Sequence, residues 1–243
     1  MMRMLVARGM LAGLAASVVA ALFAYFIAES SVDAAISVEE ALEGAEDDEP
    51  VSRGVQSTIG LFTGVLGYAI AGGGLFALLF AVLYGRIGTA RPGRLSVLLA
   101  GGCYVVGVVV PFLKYPANPP AVGAESTIDE RTGLYFAFLA VSLVFAAIAL
   151  FVAYTLRHHW SGRQRTALGV VIYLLPVIVA GALFPTIDEV PAKFPADTLW
   201  NFRVESLGTT LLLWGIVGLL FGYLVERALT PRNSAAQRLD AVA

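Results

Sequence analysis

The chain has little charge to spread over a surface, and almost no cysteine or histidine. Lys, Arg, Asp and Glu make up 14 % of its 243 residues while 58 % are hydrophobic, and its mean hydropathy is +0.79. A water-soluble domain of this length cannot carry that balance, so lipid is the expected solvent and a soluble enzyme is excluded. With a single cysteine, Cys103, neither a disulfide within the chain nor a cysteine metal cluster is available. No phosphate-binding loop of the Walker type, no nucleophile elbow and no HExxH-like helix occurs, so no engine for hydrolysis is visible. The expectation is therefore a protein that is not an enzyme, needs no resident cofactor and binds no nucleic acid.

What is abundant is long apolar sequence. Blocks of about twenty residues, each long enough at 1.5 Å per residue to cross a hydrocarbon core of about 30 Å, recur along the chain. They predict an all-α integral membrane protein: one membrane domain with six spans, near 9–28, 58–84, 95–113, 133–156, 167–185 and 207–225. None of the six contains Lys, Arg, Asp or Glu. The first run follows Arg3 and Arg8 as a secretory signal would, but its length favours a retained helix. The connections then sort by charge. One side carries eleven arginines against Glu226 and Asp240, a balance of +9, and the other five cations against sixteen carboxylates, a balance of −11. The positive-inside rule makes the basic side cytoplasmic, with both termini, in the plasma membrane.

Residues 29–57 read as an acidic outer loop, with Glu39, Glu40, Glu43, Glu46, Asp47, Asp48 and Glu49 before Pro50, and 226–243 as a short cytoplasmic tail. Small residues recur at helical spacing: Gly9, Gly13, Ala16 and Ala20 in the first span, Gly60, Gly64, Gly67, Ala71 and Gly74 in the second, Gly208, Gly215, Gly218 and Gly222 in the sixth. Such stripes predict close helix seams. Gly72-Gly73-Gly74 adds a possible hinge, since each glycine weakens a helix by about 1 kcal/mol relative to alanine. A weak threefold repeat of outward-opening hairpins is also visible, marked by Arg53, Arg131 and Arg203 ahead of alternate spans; transporters are often built from such units.

Candidate functional residues collect at the outer ends of spans. Glu29 is placed to cap the first, Asp188 and Glu189 follow the fifth, and Arg203 and Glu205 precede the sixth. In an acidic vestibule these carboxylates would raise the local concentration of a divalent cation and offer it oxygen ligands. Read plainly, they are helix-end charges in water. His158 and His159, at the cytoplasmic end of the fourth span, are weak metal-ligand candidates beside Trp160, an interfacial anchor.

Three segments carry a resemblance. They are the approach to the second span, Glu49 to Gln56; the outer turn containing Pro111, Lys114, Tyr115, Pro116, Asn118, Pro119 and Pro120, continuing to Gly123; and Asn201 to Gly208, with Trp214 beyond. In these the chain resembles the CbtA family of probable cobalt transporter subunits. The family is usually described with five spans, whereas the charge pattern here requires six. The resemblance implies cobalt import linked to vitamin B12 biosynthesis, with the cobalt ion as substrate. It also implies a small one-span partner of the CbtB type whose histidine-rich tail holds the metal. Two other readings stay open: a non-transporting membrane scaffold for a metal-handling partner, and a permease for nickel or another small solute, for which a charge-free core is easier.

Overall fold

In hydrocarbon every backbone N–H and C=O must find its partner within its own segment, so long apolar runs become helices. The computed structural model has six of them: α1 Met2–Ala41, α2 Arg53–Leu83, α3 Pro92–Lys114, α4 Ile128–His158, α5 Gly162–Leu183 and α6 Ala196–Leu229. All six are long and apolar enough to cross a membrane. The structure describes residues 1–43, 52–86 and 90–229, and no strand occurs among them. Helix starts follow local rules. Pro92 opens α3, where its missing N–H costs nothing. Ser161 and Gln164 form a reciprocal capping box at α5, the Ser161 N–H donating to Gln164 Oε1 at 3.0 Å.

The acidic loop expected over 29–57 is a correction. α1 does not stop at residue 28 but continues as an arm, helical to Glu43, and α2 already begins at Arg53. The arm has an apolar face of its own. Ala35, with Val38 beside it, packs on Val122 and Phe194 in a small separate core, which stabilises helix where charge counting alone suggested a solvated tract. Glu29 accordingly lies inside the helix rather than capping it. Glu46, Asp47, Asp48, Glu49 and Pro50 lie outside the described residues, as does the tail beyond Leu229.

The packing order is α2–α1–α6–α3–α4–α5, each helix antiparallel to its neighbour. At the α1–α2 crossing Gly9 faces Gly73 and Gly13 faces Ala69, backbone against backbone, with no room for an added Cβ at Gly9, Gly13 or Gly73. The α3–α6 seam uses Gly93, Ala100, Gly218 and Gly222 in the same way, and the Ser96 hydroxyl donates to the Gly218 carbonyl at 2.6 Å. Between the seams lies a core of Leu5, Ala12, Ala16, Phe76, Phe80, Leu213, Val217 and Phe221. There the Phe221 ring meets Phe76 edge-on at 5.3 Å and Phe80 at 5.1 Å.

Three sequence expectations change here. The second-span stripe Gly60, Gly64, Gly67 and Ala71 is exposed; the seam runs instead through Ala69, Gly73 and Ala77, about 100° round the helix per residue from the expected line. Gly73 is held by α1, so the triple glycine serves contact at its middle member, and the helix runs through it unbroken. The threefold repeat is not matched by packing either, because α6 packs on α1 and α3 rather than on α5.

α4 and α5 form a hairpin attached through the C-terminal half of α3. Ser142 fastens it, donating to the Val106 carbonyl at 2.7 Å and sharing a hydrogen bond with the Tyr173 hydroxyl at 2.9 Å. Just before Pro111, α3 opens into a π-helical turn, Val105–Val109, the local widening expected where a proline supplies no N–H and crowds the preceding turn.

Candidate functional site

Four chain segments converge at the acidic end of the bundle: the turn after α3, the start of α4, the turn after α5 and the start of α6. They enclose a cavity of about 600 Å³. Lys114, Tyr115, Pro116 and Asn118 line it from the α3 turn; Arg131, Thr132, Tyr135 and Phe136 from α4; Ile187, Asp188 and Glu189 from the α5 turn; and Arg203 from α6.

The walls are tied by polar bonds that cross between segments. Lys114 Nζ donates to the Phe184 carbonyl at 2.9 Å and the Tyr115 hydroxyl to the Pro185 carbonyl at 2.8 Å, so the end of α3 grips the end of α5. Tyr115 also meets Phe138 edge-on at 6.0 Å, and burial pushes its hydroxyl pKa up, which keeps it a donor well beyond neutral pH. Arg203 donates to the Asn118 amide oxygen at 2.9 Å and the Ala117 carbonyl at 3.3 Å, joining α6 to the α3 turn. Glu189 accepts from the Ala124 N–H at 3.0 Å and the Thr127 hydroxyl at 2.9 Å, and pairs with Arg131 at 3.5 Å.

The α3 turn itself needs unusual backbone. Ala121 has φ 63 and Gly123 has φ 110, both in the left-handed region that favours glycine. The Ala121 N–H donates to Glu39 of the α1 arm at 3.3 Å, so the arm and the turn hold each other in place.

The structure thus brings together Asp188, Glu189, Arg203, Lys114, Tyr115, Pro116 and Asn118, and separates the rest. Glu29 lies off the cavity, paired with Arg53, which also holds Asp33 at 2.9 Å; these bonds fasten the α1 arm to the start of α2. Glu205 is half-buried on α6 beside the cavity rather than in its lining, with one carboxylate oxygen buried and without a hydrogen-bond partner among the described residues. Pro111 and Pro119 are buried supports, and Pro120 also lies outside the lining. His158 and His159 are exposed at the opposite, basic end, and among the described residues no group of three or more His, Cys, Asp or Glu is gathered to hold a metal ion.

The expected acidic vestibule is therefore different in kind from the cavity observed. Its wall carries Lys114, Arg131 and Arg203 against only Asp188 and Glu189, while much of the negative charge of this end lies on the α1 arm and the segment after it. Arg131 and Tyr135 complete the wall, and no motif in the sequence marks either as a site residue. The one available signal was the position of Arg131 ahead of a span, matching Arg203. Deeper in the bundle the Tyr104 hydroxyl donates to the Leu207 carbonyl at 3.1 Å, and the Phe76 ring meets Trp214 edge-on at 6.2 Å.

No curated protein and no solved structure matches the chain. A family model described as probable cobalt transporter subunit (CbtA) matches residues 2–226, which takes in all six helices except the last residues of α6 and every residue of the cavity wall. On that match, the chain is a member of the CbtA family.

Proposed function

We propose that the protein is the polytopic subunit of a cobalt uptake system serving vitamin B12 biosynthesis, set in the plasma membrane with its basic end and both termini in the cytoplasm. The observation that carries this reading is the family match over nearly the whole chain, cavity included. The charge asymmetry of the connections supports the orientation, which makes the cavity an outward-facing vestibule. Asp188, Glu189, Arg203 and the Lys114–Asn118 turn form its wall, and Glu205 lies beside it on α6.

Burying an unpaired divalent charge in the membrane costs several kcal/mol even on permissive scales, and neutral hydroxyls and carbonyls offset only part of that. A partner subunit is thus part of the reading: a one-span protein of the CbtB type, whose histidine-rich tail supplies imidazole ligands at the exit, close to His158 and His159. Uptake of labelled cobalt by cells expressing the chain with and without such a partner is the test. Accumulation above the empty vector that requires this chain is the expected result. No excess in either condition would sink the transport reading in favour of a scaffold, and an excess seen with nickel but not cobalt would reassign the substrate.

A further inference from the structure

The wall charges of the cavity do not suit a bare divalent cation. Glu189 is engaged by Arg131, Thr127 and the Ala124 N–H, which leaves Asp188 as the one wall carboxylate with no partner among the described residues. Lys114 and Arg203, by contrast, bond only to neutral oxygens, those of Phe184, Ala117 and Asn118. Neither has a carboxylate within ion-pair distance among the described residues, so two formal positive charges face the space uncompensated. The space itself, about 600 Å³, falls within the range of about 300–1,000 Å³ typical of organic-ligand sites. Ile128, Phe136 and Ile187 give it apolar walls for which a hydrated metal ion has no use.

We infer that this cavity binds a small carboxylate-bearing anion between Lys114 and Arg203, and that the transported species is a negatively charged metal chelate rather than the free cation. The anion site stands on the cavity alone; its metal content rests on the cobalt reading above. A chelate fits the rest of the molecule as well. Its own carboxylates satisfy the metal, so the protein needs no ligand cluster of its own. With the metal charge largely cancelled, passage across spans that carry no charged side chain is less opposed by the membrane. An anionic lipid headgroup presents the same chemistry from the bilayer side, and the experiment separates the two sources.

The full chain, purified in a neutral detergent, is titrated by calorimetry with sodium citrate, with cobalt(II) chloride and with the monoanionic 1:1 cobalt(II)–citrate complex. Citrate and its complex are expected to bind, and Lys114→Gln and Arg203→Gln to weaken both by about tenfold or more, as loss of a charge-assisted hydrogen bond does. Asp188→Asn removes a repelling charge from an exposed side chain with no partner, so it tests the site even where the other variants misfold. It is expected to tighten citrate about two- to fivefold, the scale of a partly screened charge contact. Silence toward citrate, or equal citrate binding by wild type and Asp188→Asn, would overturn the anion site. So would a phosphatidylglycerol molecule that co-purifies, is seen in the cavity-dependent manner by native mass spectrometry, and is not displaced by citrate. Citrate binding in a protein that moves no cobalt supports the anion site while removing the cobalt reading; cobalt uptake with no response to citrate does the reverse.

Discussion

Gly123 shows how closely the cavity wall is fitted at the scale of a single residue. Its φ of 110 lies where side chains are strained, and a Cβ added there would collide with the Arg131 guanidinium. Arg131 is in turn what pairs with Glu189. Gly123→Ala is therefore expected to do two things: to cost about 1–2 kcal/mol in backbone strain and to push Arg131 away from the α5 turn. A lowered midpoint of thermal unfolding in detergent would register the first, and loss of citrate affinity the second. An unchanged midpoint would mean that the turn adopts another conformation. Arg53 carries a similar load on the far side, holding Glu29 and Asp33 together. Arg53→Ala leaves two carboxylates side by side on α1 and is expected to loosen the arm while sparing the membrane core, which faster proteolysis within 29–43 would reveal.

At the scale of helices, stability depends on how closely backbones approach, since lipid chains are as apolar as the helix surfaces and burial alone does not hold helices together. α1 and α2 meet through Gly9, Gly13, Ala69 and Gly73 with no space for a further carbon. Gly73→Leu is expected to separate the pair and destabilise by about 1–3 kcal/mol or more, the range of overpacked cores. Gly64→Leu, at a position with nothing within reach, is expected to leave stability within about 0.5 kcal/mol. Equal effects of the two substitutions on thermal unfolding would refute the seam assignment. The α4–α5 hairpin depends on a different device. Among the described residues Ser142 is the one side chain bonded to α3 and α5 at once, and Ser142→Ala is expected to cost about 1–3 kcal/mol, since the Tyr173 hydroxyl loses its partner and so does the Val106 carbonyl, for which Pro111, five residues on in the π-helical turn, supplies no N–H.

For the whole molecule the decisive property is direction. Six helices in alternation bring the start of α1 and the end of α6 to the basic end, and the proposed orientation puts Ser126 outside and Ser161 inside. In a background with Cys103 replaced by Ala, an impermeant maleimide applied to intact cells is expected to label Ser126→Cys at once and Ser161→Cys only after the membrane is opened. The reverse pattern would invert the molecule and turn the cavity into an exit rather than an entrance.

Fold class and span number are written in the composition, because hydrocarbon admits only segments that satisfy their own backbone, and a charge-free run of about twenty residues can do so only as a helix. The sorting of arginines and carboxylates between connections is equally local, and so it too is readable along the chain. Which face is buried was readable in α1, whose stripe Gly9, Gly13, Ala16 and Ala20 is buried, and in part in α6 through Gly218 and Gly222, but not in α2. The exposed stripe Gly60, Gly64, Gly67 and the buried line Ala69, Gly73, Ala77 are alike in composition, and only the partner helix distinguishes them. The same holds for the α1 arm, whose Ala35 is buried solely because Val122 and Phe194 arrive from distant segments. It holds most of all for the cavity. Charge summed over a side of the membrane predicted an acidic vestibule, but electrostatic effect falls with distance, and folding carries the arm's carboxylates elsewhere while setting Lys114, Arg131 and Arg203, far apart in sequence, around one space.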